Sequence, residues 1–170
     1  MARVRRAGME DAAAIAAIEV ETWRTTYAGI LDDEMLVGMS VERTAWGWVH
    51  QLRHRLAGAW VWQDEDGTVL GFGSCGHQRL PDLGYTGEVT MLYVLPDAQG
   101  QGIGRELLLT MFADLKHRGM NSALIWVIEA NPSRFFYGHM GGAWHSGAVS
   151  NSAAAGWTRW ATAGPIWPPL

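Results

Sequence analysis

The most restrictive feature of the sequence is a glycine-rich turn between a strand pattern and a helix pattern. Residues 87–95 combine β-branched and aromatic side chains, and Pro96 ends this predicted strand. After the turn at residues 99–104, apolar side chains recur at helical spacing over residues 103–115. The continuous apolar run 123–128 is typical of a buried strand parallel to the first one. These segments predict a central βαβ unit.

The flanking segments add further predicted strands and helices. They are a first strand around Val4, a helix from Glu10 to about Thr22, a helical region over 33–56 broken near Ser40, an antiparallel pair at 60–62 and 69–76, a helix over 132–140, and closing strands near Ala143 and Trp157. The pattern predicts an α/β (α+β) fold with a mixed, mostly antiparallel sheet flanked by helices. We expect one domain over residues 1–170, with a Pro-rich tail from about 164.

Composition narrows the class of protein. With 170 residues, 48% of them hydrophobic and 18% charged, the chain has enough apolar surface for one globular core. A net charge of -4 without a basic stripe argues against nucleic acid as a partner. No run approaches the ~20 apolar residues that span a bilayer, which predicts a cytoplasmic protein without a membrane partner. The single cysteine, Cys75, is expected to be buried, and the 10 tryptophans with the Pro-rich tail suggest a homodimer surface.

The turn itself predicts an anion-binding site. Glycines let a ligand approach the backbone, and the first amides of a helix offer unpaired N–H groups. The fingerprint Gly-x-Gly-x-x-Gly of dinucleotide-binding folds lacks its third glycine here. Arg105 and Glu106 follow Gly104 in place of the Lys and Ser/Thr of a Walker loop. The turn is therefore either a phosphate-binding site or a plain connection between a strand and a helix.

Three stretches together carry a family pattern. Residues 92–108 read LYVLPDAQGQGIGRELL, residues 126–132 read WVIEANP and are followed by Phe136-Tyr137 and Gly141-Gly142, and residues 23–31 read WRTTYAGIL. In this order they resemble the GNAT N-acetyltransferase superfamily, in its branch of small bacterial domains. The resemblance implies an acetyl-CoA-dependent enzyme that acetylates a primary amine of a small molecule or peptide by direct attack, without a metal.

The resemblance also implies roles for individual residues. The backbone amides that bind the coenzyme A pyrophosphate belong to Gln99, Gly100, Gln101, Gly102, Ile103 and Gly104. Leu92, Tyr93 and Val94 pair with the pantetheine arm as an added strand, and the Val94 N–H stabilises the oxyanion. Asn131 contacts the cofactor near its thioester. Tyr137 acts as the general acid, Glu88 as the general base, and Trp23 and Tyr27 line the acceptor pocket.

Other interpretations remain open at this stage. Tyr137 and Glu88 could be structural residues, and the same motifs would suit a non-catalytic acyl-CoA-binding module or a transferase for another acyl chain or a hydroxyl acceptor. His50 and His54 have the spacing of metal ligands on a helix, but no third ligand accompanies them. We interpret them as a solvated helix face.

Overall fold

The computed structural model describes residues 1–55, 58–79, 84–145 and 157–162, the last segment and residues 144–145 by their backbone alone. The helices are α1 (Ala12–Thr26), α2 (Asp33–Val37), α3 (Val41–His54), α4 (Ile103–His117) and α5 (Arg134–His139). The strands are β1 (Arg3–Arg6), β2 (Gly58–Gln63), β3 (Val69–His77), β4 (Gly87–Val94), β5 (Ala123–Ile128), β6 (Ala143–His145) and β7 (Trp157–Thr162). The predicted Pro-rich tail lies outside the described residues.

The strands follow the order β1-β2-β3-β4-β5-β7-β6 in a mixed sheet. β4 and β5 are parallel, with Gly87 opposite Ala123 and Val89 opposite Ile125, and α4 connects them. The β1–β2, β5–β7 and β6–β7 pairs are antiparallel. The predicted βαβ unit and the α/β class with a mixed sheet are therefore confirmed.

The contacts divide the chain into two compact units. The first unit contains Met1–Ser74 and Met91–Met111, and the second contains Cys75–Thr90 and Phe112–Leu170. β3 and β4 each contribute residues to both units. The expectation of a single domain over residues 1–170 stays a prediction.

The first unit contains two groups of buried apolar side chains. One packs α1 and α3 against β2 and β3, and its fully buried members include Ile15, Trp48 and Phe72. The other joins Ala98, Ile103 and Leu107 next to the glycine turn. Burial of such side chains, at about 25 cal/mol per Å2 of apolar surface, holds α1 and the first part of α4 in this unit.

In the second unit both faces of β5 are buried. Leu124, Val127 and Ile128 are at most 5% exposed. The sulfur of Cys75, which is fully buried as predicted, lies 3.6 Å from Asp114 Oδ2. Gly87 packs closely here, because a Cβ on this residue would lie 3.2 Å from Leu115 Cδ1. A larger residue at 87 would disturb the start of β4.

The predicted end of the first helix is wrong. The helix was expected to stop at about Thr22, but α1 continues to Thr26, and the Tyr27 N–H donates to the Trp23 carbonyl at 3.0 Å. The hydroxyl of Thr25 donates to the Glu21 carbonyl at 3.0 Å, which lets a β-branched polar residue remain helical. The predicted break near Ser40 is confirmed, since Ser40 Oγ caps α3 by accepting from the Arg43 N–H.

Candidate active site

The glycine turn takes a backbone form that ordinary residues avoid. β4 ends at Val94, a 3-10 turn covers Pro96–Ala98, and α4 begins at Ile103. Gly100 and Gly102 have φ angles of 75° and 86°. An L-residue with a side chain would cost roughly 1–2 kcal/mol at each of these two positions. The turn therefore requires glycine at Gly100 and Gly102 for its backbone shape, while the predicted approach of a ligand to these glycines stays a prediction.

The amides of this turn differ in what they contact. The Gln99 N–H donates to the Pro96 carbonyl at 3.2 Å, so it closes the 3-10 turn. Over residues 1–55, 58–79 and 84–145, no protein acceptor is found for the backbone N–H groups of residues 100–105. Gly100, Gln101 and Gly102 are exposed. These amides begin a 15-residue helix, where the partial positive charge of the helix end favours an anion.

The side chain of Gln99 has a separate role. Its Nε2 donates to the Val94 carbonyl at 3.0 Å, and Gln101 Nε2 donates to the Asp97 carbonyl at 3.3 Å. Both bonds connect the turn to the chain just before it. The first one fixes the direction of the peptide group at the end of β4.

Successive residues of β4 direct their backbone N–H and C=O groups at opposite edges of the strand. The Leu95 N–H donates to the Leu70 carbonyl at 2.9 Å, and a Cβ on Gly71 would lie 3.0 Å from the Tyr93 carbonyl oxygen. Tyr93 therefore directs its backbone groups at β3. In a β-strand the neighbouring residues Leu92 and Val94 direct theirs at the opposite edge.

The opposite edge of β4 is paired over only part of its length. In the described part of the chain, pairing with β5 involves Gly87–Val89 and Ala123–Ile125, whereas β4 continues to Val94. Leu92 thus offers its N–H and carbonyl beyond the paired segment, and Val94 offers its N–H, since its carbonyl accepts from Gln99. Their side chains pack beside the buried group around Ile103, which holds this length of backbone in place.

Side chains on the other face of β4 join those of α1. The Trp23 indole Nε1 donates to the Tyr93 hydroxyl at 3.0 Å, and the rings of Trp23 and Tyr27 meet edge to face at 5.1 Å. Tyr93 also hydrogen-bonds to Tyr27. Burial is the largest of the effects that raise the pKa of Tyr93 far above its ordinary value. The structure therefore brings the two predicted acceptor residues into contact with β4.

The sequence interpretation missed a carboxylate on α1, the helix that carries Trp23. Glu19 of α1 accepts a hydrogen bond from the Trp48 indole Nε1 at 2.7 Å through Oε2. Burial raises the pKa of Glu19, and the Trp48 bond opposes this in part. Helical periodicity places Glu19 one turn before Trp23, and this spacing is the one signal in the sequence that connects them.

Glu88, predicted as the general base, is 1% exposed in the second unit. Its Oε1 lies 2.5 Å from Arg79 Nη2 and 3.1 Å from Arg79 Nε, and its Oε2 accepts from the Arg79 backbone N–H at 3.1 Å. The bond to Glu88 raises the pKa of Arg79. No pattern in the sequence predicts that Arg79 pairs with Glu88.

Asn131 lies in the turn before α5, and Tyr137 lies within α5. Asn131 is buried, and its Oδ1 accepts from the Ser133 N–H at 2.9 Å, which starts the helix. Tyr137 is half-buried on α5, with its ring 5.2 Å from that of Phe136. The cofactor contact of Asn131 and the acid role of Tyr137 stay predictions.

His50 and His54 are exposed on α3, with ring centroids 4.6 Å apart. Among the residues that the structure describes, no group of three or more His, Cys, Asp or Glu side chains is arranged to hold a metal ion. Within the same residues, no helix combines the length and apolar character needed to cross a bilayer.

Known proteins share both the sequence pattern and the fold. A model of the acetyltransferase (GNAT) family matches residues 13–141. The uncharacterized N-acetyltransferase YuaI of Bacillus subtilis is 40% identical over 137 residues, which is 81% of this chain and 78% of YuaI.

Two solved structures resemble the fold at low identity. The PaiA N-acetyltransferase of Thermoplasma acidophilum, in complex with coenzyme A, has a TM-score of 0.73 at 20% identity, covering 95% of this chain and 98% of that one. YncA, a putative acetyltransferase of Salmonella typhimurium with acetyl-CoA, has a TM-score of 0.71 at 21% identity, covering 100% and 96%. At these identities the likeness concerns the fold alone.

Proposed function

The chain belongs to the acetyltransferase (GNAT) family and is an acyltransferase, and we propose that it moves the acetyl group of acetyl-CoA to a primary amine of a small molecule or peptide. The observation that carries this proposal is the row of turn amides between β4 and α4, for which the described residues supply no acceptor. Such a row suits a pyrophosphate. The two solved structures with coenzyme A or acetyl-CoA support the same cofactor.

In this proposal the turn binds the pyrophosphate of the cofactor, and β4 binds its pantetheine arm. The amides of Gly100, Gln101, Gly102, Ile103 and Gly104 bind the pyrophosphate, whereas the Gln99 N–H closes the turn. Gln99 contributes through its side chain, which orients the last peptide group of β4. The exposed guanidinium of Arg105 adds positive charge beside the phosphates. Leu92 and Val94 hydrogen-bond to the pantetheine arm as to an added strand.

The chain's own groups then assist the transfer. The amine nitrogen attacks the thioester carbonyl, a C–N bond forms and the C–S bond breaks, and no covalent enzyme intermediate is needed. The Val94 N–H stabilises the negative charge on the carbonyl oxygen, and Tyr137 donates a proton to the departing thiolate. Asn131 assists near the thioester while its Oδ1 maintains the turn before α5.

A base must first remove a proton from the ammonium form of the acceptor. Glu88 fills this role in the proposal, and its geometry sets a condition. Because the Arg79 guanidinium occupies Oε1 and the Arg79 backbone N–H occupies Oε2, an acceptor ammonium group can reach the Glu88 carboxylate only when the Arg79 side chain moves away. Arg79 is suited to such movement, since its side chain is 68% exposed.

The proposal is tested with Tyr137→Phe. Release of free coenzyme A from acetyl-CoA is measured across a panel of primary amines, with alcohols and longer acyl-CoA thioesters as comparisons. We expect amine-dependent release by the wild type and a kcat that is about 100-fold lower in the variant, because general acid catalysis contributes about that much. The increase in Tm produced by acetyl-CoA should be equal in both proteins.

The same panel separates the competing functions. Stabilisation by acetyl-CoA without turnover of any amine, alcohol or thioester would establish a non-catalytic binding module instead. Equal kcat values for wild type and Tyr137→Phe would remove Tyr137 from the mechanism. A preference for alcohols or longer thioesters would reassign the acceptor or the acyl chain.

A further inference from the structure

Glu19 is a carboxylate without a cationic partner in the described residues. The ion pairs found there join Arg5 to Asp11, Arg79 to Glu88 and Arg118 to Asp114, and none of them includes Glu19. Its one hydrogen bond in these residues is the bond from the Trp48 indole to Oε2. A carboxylate partly removed from water and held by one neutral donor is stabilised when a cation binds it.

The surroundings of Glu19 suit an organic cation. Tyr93 is close enough for the charge of Glu19 to affect its titration, and Trp23 and Tyr27 both hydrogen-bond to the Tyr93 hydroxyl. Aromatic rings attract ammonium groups through their negative faces, most strongly when water is excluded. Glu19, Trp23 and Tyr93 are each half-buried, so this cluster is neither sealed in the core nor fully solvated.

We propose that Glu19, with the aromatic side chains of Trp23, Tyr27 and Tyr93, binds an ammonium group of the acceptor and makes the enzyme selective for cationic amines. This inference rests on the proposed amine acetylation and extends it to the class of acceptor. Tyr93 lies between Leu92 and Val94, whose backbone groups are assigned to the cofactor. An acceptor held at the Tyr93 side chain therefore reaches the strand that carries the thioester.

The structure supplies a direct reporter for binding. The Trp48 indole N–H donates to Glu19, so a cation that reaches the carboxylate should change its 1H-15N resonance. The full chain with coenzyme A is titrated with n-butylammonium and, in parallel, with the neutral isostere n-butanol. Titration extends to about 50 mM, a concentration that saturates even a millimolar site. We expect a saturable shift with n-butylammonium and none with n-butanol.

Variants on the same helix test the assignment to Glu19. Glu19→Gln should weaken n-butylammonium binding about 10-fold or more, the effect expected for a charged hydrogen bond. Glu21→Gln is the matched control, because Glu21 is exposed on α1. In turnover assays Glu19→Gln should increase the KM for cationic amines by a similar factor and leave the Kd for acetyl-CoA unchanged.

Each outcome decides between the proposals. The absence of a saturable shift in the wild type, an equal response to n-butanol, or unchanged affinity in Glu19→Gln would overturn the role of Glu19. If Glu19→Gln does not fold, the comparison of cation and alcohol on the wild type still decides. A specific shift without amine-dependent release of coenzyme A would refute the acetylation and leave the cation site standing.

Discussion

Asp11 and Glu19 are both carboxylates of the first unit, but their electrostatic environments are opposite. Asp11, directly before α1, is 4% exposed, and its two oxygens accept from Arg5 at 2.7 and 2.8 Å and from the Gly8 N–H at 2.8 Å. Glu19, two turns into α1, accepts from one neutral indole. The chain therefore supplies a cationic partner for Asp11, whereas the proposed cationic partner of Glu19 is the acceptor.

The difference appears in the pKa values. Burial alone raises the pKa of either group, but at Asp11 the bonds from Arg5 and Gly8 outweigh burial and lower the pKa. At Glu19 burial dominates, and the pKa is raised. Asp11 thus stabilises the folded chain at neutral pH, whereas Glu19 costs stability, as is common for groups kept for function.

Asp11→Asn should produce the largest change in stability. The amide keeps the shape but cannot balance Arg5, and breaking a buried pair costs about 3–5 kcal/mol; we expect about 2–3 kcal/mol here, because the Arg5 side chain is 25% exposed. Thermal unfolding measures this loss. Glu10→Gln, at the exposed neighbouring carboxylate, is the control. Equal Tm values for the two variants would show that the Arg5–Asp11 pair stabilises nothing.

The pH dependence of stability follows from the same shift. The folded pKa of Asp11 lies below its unfolded value of about 3.9, so its contribution is fully present above that pH and is lost as pH falls through the folded pKa. The loss from Asp11→Asn should therefore be constant near neutrality and shrink below about pH 4. Urea unfolding over this range measures it, and a loss independent of pH would contradict the assignment.

Glu19→Gln should have a smaller effect with the opposite sign. Removing a partly buried charge without a cation should stabilise the chain by about 1 kcal/mol at pH 7. Because the folded pKa of Glu19 is raised, the cost of its charge grows as pH rises from the unfolded pKa to the folded one. The gain should therefore disappear toward about pH 4. A loss of stability at pH 7 would mean that Glu19 is structural.

Tyr93→Phe should have the smallest effect. The variant removes the hydroxyl that accepts from the Trp23 indole and also hydrogen-bonds to Tyr27, but half-buried Trp23 can bond to water instead, so we expect a loss of about 0.5–1 kcal/mol. The KM for a cationic amine should rise a few-fold, and the Kd for acetyl-CoA should not change, because the proposed cofactor contacts of β4 are backbone groups. Isothermal titration with acetyl-CoA and steady-state kinetics separate the two effects.

The segment assigned to the cofactor in our proposal could be predicted from the sequence because its elements are consecutive along the chain. β4, the turn and α4 follow one another along the chain, and the observed bounds Gly87–Val94 and Ile103–His117 agree with the strand and helix patterns. The positive φ angles of Gly100 and Gly102 explain why glycine marks the turn. Periodicity and turn chemistry act over a few residues, and this region requires nothing more.

The cluster proposed to bind the acceptor depends on contacts between residues that are far apart in the sequence. Trp23 and Tyr93 are 70 positions apart in the sequence, and Glu19 and Trp48 are 29 positions apart. No local sequence pattern therefore predicts their hydrogen bonds. Asp11 directly precedes α1, and its main partner is Arg5 of β1. Local patterns show which residues are polar, but the tertiary fold decides which polar groups find partners.

The strand order β5-β7-β6 has a consequence for biosynthesis. β7 inserts between two strands made earlier, with Ile125 opposite Trp160 on one side and Trp144 opposite Trp160 on the other. While the ribosome is still making residues 146–162, β5 has an open edge, and at about 5–20 residues per second this lasts a second or more. Open strand edges recruit other chains. Nascent molecules should therefore depend on chaperones until β7 emerges, and premature stop codons before Trp157 should yield aggregates.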